Sequence, residues 1–342
     1  MVAFAFLLVI AVAVPDRGLG AEPPTEPMLR IEPEMHGAPI SRIAIDAAGR
    51  YVASGSHDKT VRVWDLKTGR LLRILRPPIG AGNEGLIHAV AMSPDGATIA
   101  AAGWTGYDWD KTASIYLFDR VTGNIKRLTS GLPNVFHLAW SPDGGLLAAS
   151  GSRNGIRVFR TQDGSEVGAD NAYGERSVSV DFHRTGKLVS TSYDGFVRLY
   201  RVNDRALTLI TKEKAPGGAR PYFARFSPDG SRIAIGYDDN AGVDVLAGDT
   251  LARLYSTDTR DVKTGSLGGV AWSVDGSQLY AGGKYASGSM YVIRVWTQAG
   301  QGPFHDLAAA TNTVVDIAPV AVGGLVYGAL DPALGMFDGA GR

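Results

Sequence analysis

Three residues that could act on a substrate stand side by side at Ser56, His57 and Asp58. A serine, a histidine and an aspartate are the groups of a hydrolytic relay, in which the histidine takes the hydroxyl proton. Successive side chains of an extended segment point in opposite directions, so contiguous residues cannot align for such a relay. The same stretch, HDKTVRVWD, runs directly into an alternating apolar segment that ends at Trp64 and Asp65. The sequence therefore favours an architectural role for these residues.

Other groups with chemical potential are scattered along the chain. The segment GAGNEG at residues 80–85 has the glycine spacing of a dinucleotide-binding loop. No helix pattern follows it, so a pyrophosphate would find no helix N-terminus. A metal site would need several histidines to converge with carboxylates, and the chain spreads them widely, as at His88, His137, His183 and His305. The sequence predicts no catalytic residue, no metal site and no cofactor.

Composition excludes further classes of function. The chain has 34 basic and 34 acidic residues and no cysteine. Without cysteine there can be no disulfide, no thiolate zinc site and no thiol nucleophile. No run of five like charges occurs, so the electrostatic footprint of a nucleic-acid or anionic-lipid binder is missing. We therefore expect neither nucleic acid nor a membrane surface as a partner, apart from the N-terminal segment.

Residues 1–21 are predicted to be an export signal. The apolar run AFAFLLVIAVAV (Ala3–Val14) is too short to cross about 30 Å of hydrocarbon, but it has the length of a signal core. Cleavage is expected after Gly20 or Ala21. No basic residue precedes the run, which we interpret as a start codon assigned too late or a truncated sequence. The prediction is a bacterial protein that is periplasmic or secreted. The alternative is an uncleaved segment that tethers the protein to a membrane.

A turn motif recurs seven times along the rest of the chain. It reads SPDG three times and has a related sequence four times, and its glycines are Gly49, Gly96, Gly144, Gly186, Gly230, Gly276 and Gly323. The intervals between consecutive glycines are 47, 48, 42, 44, 46 and 47 residues. A regular period of this length indicates a repeat architecture. A glycine suits the turn because tight hairpins need a positive φ.

Each turn is flanked by the same strands. An alternating strand precedes it, and a strand of small residues follows, such as YVASGS at Tyr51–Ser56. A third strand ends in a large apolar residue: Trp64, Phe118, Phe159, Tyr200, Leu246, Trp296 or Phe337. A fourth, weaker strand is visible in most copies, as at Leu71–Leu75. Seven four-stranded units, which must stack to bury two apolar faces, predict an all-β, seven-bladed β-propeller over residues 27–342.

The first unit resembles the WD-repeat family at the residues that define that family. His36, Ser54, Asp58 and Trp64 stand 18, 4 and 6 residues apart. The resemblance implies one hydrogen-bonded chain, in which Asp58 accepts from His36, His36 contacts Ser54, and Ser54 meets the indole N–H of Trp64. The other units keep the turn and the strands but lose the full set; the fourth has Asp194 and Tyr200 without a matching histidine.

The resemblance also implies how the ring closes. The segment PMLRIEP at residues 27–33 is a strand pattern before the first unit, and the seventh unit has only three strand patterns. WD-repeat proteins pair such an N-terminal strand with their last blade. We therefore expect Leu29 and Ile31 to lie in a strand beside the one that contains Met336.

Aromatic residues outside the strands are the candidate partner-binding residues. They lie between the second and third strands, where the second unit has a long insert, GWTGYDWDKTAS, and the candidates are Trp104, Tyr107, Trp109, Tyr193, Tyr237 and Tyr285. The resemblance implies that these loops share one face of the disc, around the mouth of a channel. Exposed Trp and Tyr side chains often dominate binding energy. The alternative is that they pack on neighbouring loops and only cap the blades.

The resulting hypothesis is a non-enzymatic scaffold, an exported and monomeric propeller that presents one face to a protein or peptide partner. Two alternatives stay open, since a fold alone does not decide function. One is the sensing or substrate-docking part of a larger protein or complex with a caspase-like peptidase, because bacterial chains that resemble this one can be joined to such a domain. The other is an enzyme with a small-molecule site in the channel, which would need inward-facing carboxylates such as Asp181 and Asp316.

Overall fold

A computed structural model of the chain describes residues 34–106, 112–153, 155–321, 323–339 and 341. These residues form 27 β-strands, and the one helical element among them is a 3₁₀ turn at Gln298–Gly300. Within that part of the chain, no helix is long and apolar enough to cross a membrane. The predicted all-β fold is confirmed.

The strands form seven antiparallel sheets, one for each repeat, and we number these sheets as blades in chain order. Blades 1 to 3 comprise β1 (Ile40–Ile45), β2 (Tyr51–Ser56), β3 (Val61–Asp65) and β4 (Leu71–Leu75); β5 (Ile87–Met92), β6 (Thr98–Gly103), β7 (Ala113–Asp119) and β8 (Ile125–Leu132); and β9 (Val135–Trp140), β10 (Leu146–Gly151), β11 (Ile156–Arg160) and β12 (Glu166–Asp170). Blades 4 and 5 comprise β13 (Ser177–His183), β14 (Lys187–Ser192), β15 (Phe196–Asn203) and β16 (Ala206–Lys214); and β17 (Pro221–Phe226), β18 (Arg232–Tyr237), β19 (Val243–Ala247) and β20 (Arg253–Ser256). Blade 6 comprises β21 (Gly269–Trp272), β22 (Leu279–Ser287), β23 (Met290–Trp296) and β24 (Phe304–Ala310), and blade 7 comprises β25 (Val314–Pro319), β26 (Leu325–Ala329) and β27 (Leu334–Phe337).

The blades close into a ring. The first strand of each blade contacts the first strand of the next, and β25 of blade 7 contacts β1 of blade 1. Ile40 and Ile43 of blade 1 share a buried cluster with Val326 of blade 7. In addition, the Ile43 N–H donates to Asp316 Oδ2 at 3.2 Å. The predicted seven-bladed propeller is thus confirmed.

Blade 7 has three strands among the residues that the structure describes. The strand predicted to complete it, which contains Leu29 and Ile31, lies outside the described residues, as does the predicted signal at residues 1–21. Met336 lies in β27, the last strand of this sheet, and is 52% exposed. The proposed pairing beside Met336 therefore stays a prediction.

The turn between the first and second strands forms as its sequence requires. All seven repeat glycines have a positive φ, from +66° at Gly49 to +93° at Gly323. In blade 2, the Ser93 hydroxyl donates to Asp95 Oδ1 at 2.6 Å, and the Gly96 N–H donates to the Ser93 carbonyl at 2.8 Å. The recurring Ser, Asp and Gly therefore specify the hairpin locally, before any packing between blades.

Packing between blades explains the small residues of the second strands. A Cβ placed on Gly55 of β2 would lie 2.6 Å from Ile87 Cγ2 of blade 2, and one on Gly328 of β26 would lie 2.9 Å from Ile40 Cγ2 of blade 1. The large apolar residues at the ends of the third strands fill the space farther out; Tyr200 is 1% exposed and Trp296 is 0% exposed. Close-packed interiors tolerate little change in volume at such positions.

Candidate functional site at the mouth of the channel

The residues His36, Ser54, Asp58 and Trp64 contact one another in blade 1. His36 Nδ1 lies 2.8 Å from Asp58 Oδ2, and His36 Nε2 lies 2.7 Å from Ser54 Oγ. The Trp64 indole N–H donates to Ser54 Oγ at 3.0 Å. Burial of Asp58 opposes its ionisation, but hydrogen bonds from His36 and Thr60 hold the pKa of Asp58 well below its ordinary value. The network ties the β2–β3 turn to the loop that leads into the blade.

The neighbours of Asp58 have separate contacts. The Ser56 hydroxyl donates to the Ala38 carbonyl at 2.8 Å, while the His57 ring lies 5.3 Å from the ring of His88 in blade 2. Ser56, His57 and Asp58 therefore turn toward three different partners and do not form a proton relay.

Blade 4 builds a related network around a tyrosine. Tyr173 OH lies 2.5 Å from Ser190 Oγ and 2.9 Å from Tyr200 OH. Asp194 accepts from the Gly174 N–H at 3.1 Å and pairs with Arg198 at 2.5 Å. The sequence pattern of blade 1 has a histidine at this position, so it does not identify Tyr173. The spacing is similar, because Tyr173 precedes Ser190 by 17 residues and His36 precedes Ser54 by 18.

The first residue after the second strand of a blade lies at one end of the channel. We call this the rim position; it is His57 after β2, Trp104 after β6, Tyr193 after β14 and Leu330 after β26. His57, Tyr193 and Leu330 line a cavity of about 290 Å³, which we call the mouth cavity. Its remaining lining residues are Ser41, Arg42, His88, Phe136, Arg176, Val178, Tyr222 and Val315. Trp104 has the same rim position in blade 2, and its side chain is 49% exposed.

The predicted partner-binding aromatic residues fall into different environments. Tyr193 is half-buried and donates to Asp238 Oδ2 at 2.9 Å, and Arg176 stacks on its ring at 4.7 Å. Tyr285 is also half-buried and packs on the core of blade 6. Tyr107 and Trp109 lie outside the described residues. Trp104 and Tyr193 are therefore the candidates that the structure brings to the rim.

The prediction that Tyr237 binds a partner is wrong. Tyr237 is 0% exposed, its hydroxyl donates to Asp244 Oδ2 at 2.6 Å, and the Gly217 N–H donates to that hydroxyl at 3.0 Å. It is the last residue of β18, one position before the rim position. Because consecutive side chains of a strand point to opposite faces, that offset turns the ring into the core between blades.

The middle of the channel is occupied by stacked side chains. The Phe223 ring lies between two guanidinium groups, 4.8 Å from that of Arg42 and 4.6 Å from that of Arg225. The rings of Tyr222 and Phe223 are stacked at 4.8 Å, and the His137 ring meets Phe223 edge-on at 5.3 Å. Cations above an aromatic face are attracted by its quadrupole, most strongly where water is excluded. Phe223 thus contacts one arginine that lines the mouth cavity, Arg42, and one that lines a second cavity, Arg225.

The second cavity has a volume of about 390 Å³ and contains two carboxylates, and we call it the lower cavity. Asp181 accepts from the Phe226 N–H at 2.8 Å, and Asp316 lies 3.8 Å from Arg225. Burial raises the pKa of Asp181 to about 6 and also raises the pKa of Asp316. The structure thus brings the two inward-facing carboxylates of the sequence hypothesis into one cavity. Each also accepts a backbone N–H of the next blade, so both help to hold the ring together.

No group of three or more histidine or acidic side chains suited to a metal occurs in the part of the chain that the structure describes. His88 Nδ1 lies 3.1 Å from Asn134 Oδ1, and burial lowers the pKa of His88 to about 4. Burial of His137 likewise holds its pKa well below the ordinary value. Burial thus favours the neutral form of both histidines, and their rings contact neighbouring side chains.

Three segments of the chain match the family model described as WD domain, G-beta repeat. The matched residues are 30–65, 125–160 and 172–201, and the first and third contain the networks of blades 1 and 4. In these three segments the chain resembles the WD40 repeat family. The tyrosine-based network of blade 4 thus lies inside a segment that matches this family model.

Curated relatives resemble this chain over part of their length. The chain is 29% identical over 127 residues to Periodic tryptophan protein 2 of Saccharomyces cerevisiae, covering 37% of this chain and 13% of that protein. It is 29% identical over 170 residues to Transducin beta-like protein 2 of Homo sapiens, covering 46% and 37%. It is also 29% identical over 146 residues to Small ribosomal subunit protein RACK1y of Oryza sativa subsp. japonica, covering 42% and 41%. The match spans less than half of each of these relatives.

Proposed function

We propose that this WD40 propeller is a non-enzymatic scaffold that docks a protein partner on the face that carries the mouth cavity. The observation that carries the proposal is the rim, where Trp104 is 49% exposed and Tyr193 borders an open cavity. A large aromatic ring left half-exposed is the kind of anchor that binding hot spots use.

The chemistry of the rim supports a protein as the partner. It combines aromatic rings with arginines, since Arg176 and Arg220 stack on Tyr193 at 4.7 and 5.4 Å. Tyr, Trp and Arg are the residue types enriched at the centres of protein interfaces. The name of the rice relative, a small ribosomal subunit protein, describes a component of an assembly, which agrees with a scaffold role for a propeller of this kind.

Affinity capture with four variants tests the proposal. Trp104→Ala, the double variant Trp104→Ala with Trp109→Ala, and Tyr193→Ala should each lose a partner that the unmodified chain retains. Leu254→Ala is the matched control, because Leu254 is 50% exposed on β20, the last strand of blade 5. Trp104→Ala and Leu254→Ala should keep the melting temperature within a few degrees, since exposed substitutions change stability little. A melting curve of each other variant shows whether it is folded before its capture is compared. Equal capture by the rim variants and by Leu254→Ala would contradict the proposal.

A small-molecule enzyme is the second candidate, and the lower cavity is what favours it. A carboxylate with a pKa of about 6, as at Asp181, has the acidity expected of a general base near neutral pH. Against this, Asp181 and Asp316 already accept backbone N–H groups between blades. We therefore prefer the scaffold. Isothermal titration against a metabolite library, with Asp181→Asn as the control, would detect a ligand specific to the lower cavity.

The cellular setting is a further part of the proposal. The apolar run Ala3–Val14 supports export, with cleavage after Gly20 or Ala21. Mass spectrometry of the N-terminus after expression in a bacterial host tests this, and an intact Met1 would argue against cleavage. A scaffold in the periplasm could serve as the docking part of a peptidase complex; a captured partner with a caspase-like domain would support that version.

A further inference from the structure

The mouth cavity has an unusual balance of charge. Its lining includes the guanidinium groups of Arg42 and Arg176 and contains no Asp or Glu. Among the described residues, neither arginine forms an ion pair, although Arg225 on the other side of Phe223 lies near Asp316. The lining of the cavity is therefore positive, although Arg42 also acts electrostatically on Asp316 and Asp238 lies 2.9 Å from the Tyr193 hydroxyl.

Arg42 at the floor of the cavity has an unused donor. The residue is only 7% exposed, and two of its nitrogens are committed, Nη1 to the Ser41 carbonyl at 2.6 Å and Nη2 to Tyr222 OH at 3.3 Å. Its Nε has no hydrogen-bond partner in the described part of the protein. Buried polar groups are nearly always paired. Arg42 therefore contributes a buried and incompletely hydrogen-bonded cation to the lining of the cavity, and an acidic group that enters the cavity would be attracted to its charge.

The apolar lining of the mouth cavity restricts which hydrogen-bond acceptor can fit beside the arginines. Phe136, Val178, Val315 and Leu330 supply apolar surface next to the two arginines. A phosphate dianion prefers several charge-assisted donors at once, whereas one buried Nε and one exposed guanidinium match a carboxylate monoanion. The cavity of about 290 Å³ holds one or two side chains, not a folded domain. An acidic side chain with an apolar neighbour fits both the charge and the walls.

We propose that the mouth cavity binds a carboxylate carried on a peptide segment of the docked partner, with the carboxylate at Arg42 and Arg176 and its apolar neighbour against Phe136 and Leu330. This inference rests on the proposed scaffold function and names the chemistry of the docked segment.

Isothermal titration with defined peptides tests the inference. The probe is N-acetyl-Ala-Phe-Glu-Ala-amide, and its partner probe carries Gln in place of Glu. The Glu peptide should bind at least about tenfold more tightly than the Gln peptide, the factor expected for about 1.4 kcal/mol. Arg176→Gln should weaken Glu-peptide binding by a similar factor. Arg205→Gln is the matched control, because Arg205 is exposed in the β15–β16 turn and should leave binding unchanged.

If the Arg42→Met variant folds, it should weaken Glu-peptide binding more than Arg176→Gln does. If it does not fold, Arg176→Gln still tests the inference, because Arg176 is exposed and its replacement should not affect folding. The imidazole proton signals of His57 and His88, which line the cavity, should shift when the Glu peptide binds. Equal affinity for the Glu and Gln peptides, no binding up to about 5 mM, or unchanged binding by Arg176→Gln would overturn the inference. A phosphoserine peptide that binds more than tenfold more tightly than the Glu peptide would replace the carboxylate by a phosphate.

Peptide titration and partner capture test different claims. Peptide titration needs no partner, so peptide binding together with unchanged capture by Trp104→Ala would leave the carboxylate site standing and reject the aromatic rim as the docking surface.

Discussion

Replacing Tyr173 by phenylalanine tests whether blade 4 is stabilised by the tyrosine network. The substitution keeps the ring, on which the Arg198 guanidinium stacks at 3.8 Å, and removes only the hydroxyl. That hydroxyl contacts Ser190 Oγ and Tyr200 OH. The Tyr200 hydroxyl keeps its bond to Asp170 at 2.8 Å, whereas the Ser190 hydroxyl, at 0% exposure, is left in a dry site without this partner.

The expected loss of stability follows from the difference between the two hydroxyls, since only that of Ser190 is left without a partner. Leaving a buried polar group unsatisfied costs about 1 to 3 kcal/mol, whereas a solvated hydrogen bond contributes about 1 kcal/mol or less. We therefore expect Tyr173→Phe to lower the free energy of unfolding by about 2 kcal/mol. Tyr193→Phe is the matched control, because it removes a hydroxyl whose acceptor, Asp238, retains its ion pair with Lys284 at 2.7 Å. Its expected cost is below about 1 kcal/mol.

Guanidinium chloride unfolding followed by tryptophan fluorescence measures both losses of stability. The comparison requires that the free energy of unfolding of each variant falls with denaturant concentration at the same slope. Combining Tyr173→Phe with Ser190→Ala should give a coupling energy of at least about 1 kcal/mol, since the two groups share one contact. If Tyr173→Phe costs no more than Tyr193→Phe, or if the coupling is zero, the tyrosine does not stabilise blade 4 as the histidine network would.

Three further predictions concern stability. Trp64→Ala should cost about 3 to 5 kcal/mol in denaturant unfolding, because it empties a buried site and removes the donor to the serine of blade 1. Asp181→Asn should stabilise the protein at high pH, because burial raises the pKa of Asp181 to about 6 from 3.8 and the ionised carboxylate destabilises the folded state as the pH rises through that range. In denaturant unfolding at several pH values, the gain in the free energy of unfolding should be near zero at about pH 4 and reach up to about 3 kcal/mol at about pH 8. Gly230→Ala should destabilise more than Gly69→Ala, although both glycines have a positive φ; a Cβ on Gly230 would lie 2.3 Å from the His183 ring, while one on Gly69 meets nothing within 4 Å. Equal melting temperatures for the two alanine variants would contradict that comparison.

The architecture could be predicted from the sequence because its determinants are local. A turn that ends in glycine repeats between the first and second strands of each blade, and β2 begins and ends at Tyr51 and Ser56, as its small residues indicated. The large residue that ends the third strand is buried in blades 1 to 6. None of these features requires knowledge of another blade, since each reflects a turn geometry or a two-residue alternation.

The site was only partly predictable because its contacts join distant segments. Arg42 and Phe223 approach in the channel although they are separated by about 180 residues, and no pattern in the chain relates them. Tyr237 shows a second limit, because a one-residue error in the end of a strand moves a side chain from the rim to the core. Tyr173 shows a third, since its hydroxyl takes a position for which only a histidine had been sought.

The distribution of charge along the channel decides what this propeller can select. Arg225 shares the lower cavity with Asp181 and Asp316, so positive charge there is balanced within the chain. Arg42, on the other side of Phe223, lines a cavity without a carboxylate. The two ends of the channel therefore differ in the charge of their lining residues, although the formal net charge of the chain is zero. Such local differences matter because charges in a poorly solvated site interact far more strongly than exposed ones. A formal net charge of zero does not limit short-range recognition of an acidic group that enters the mouth cavity. Raising the salt concentration should therefore weaken Glu-peptide binding only modestly, whereas binding that depended on scattered surface charges would be lost as the screening length falls below about 10 Å.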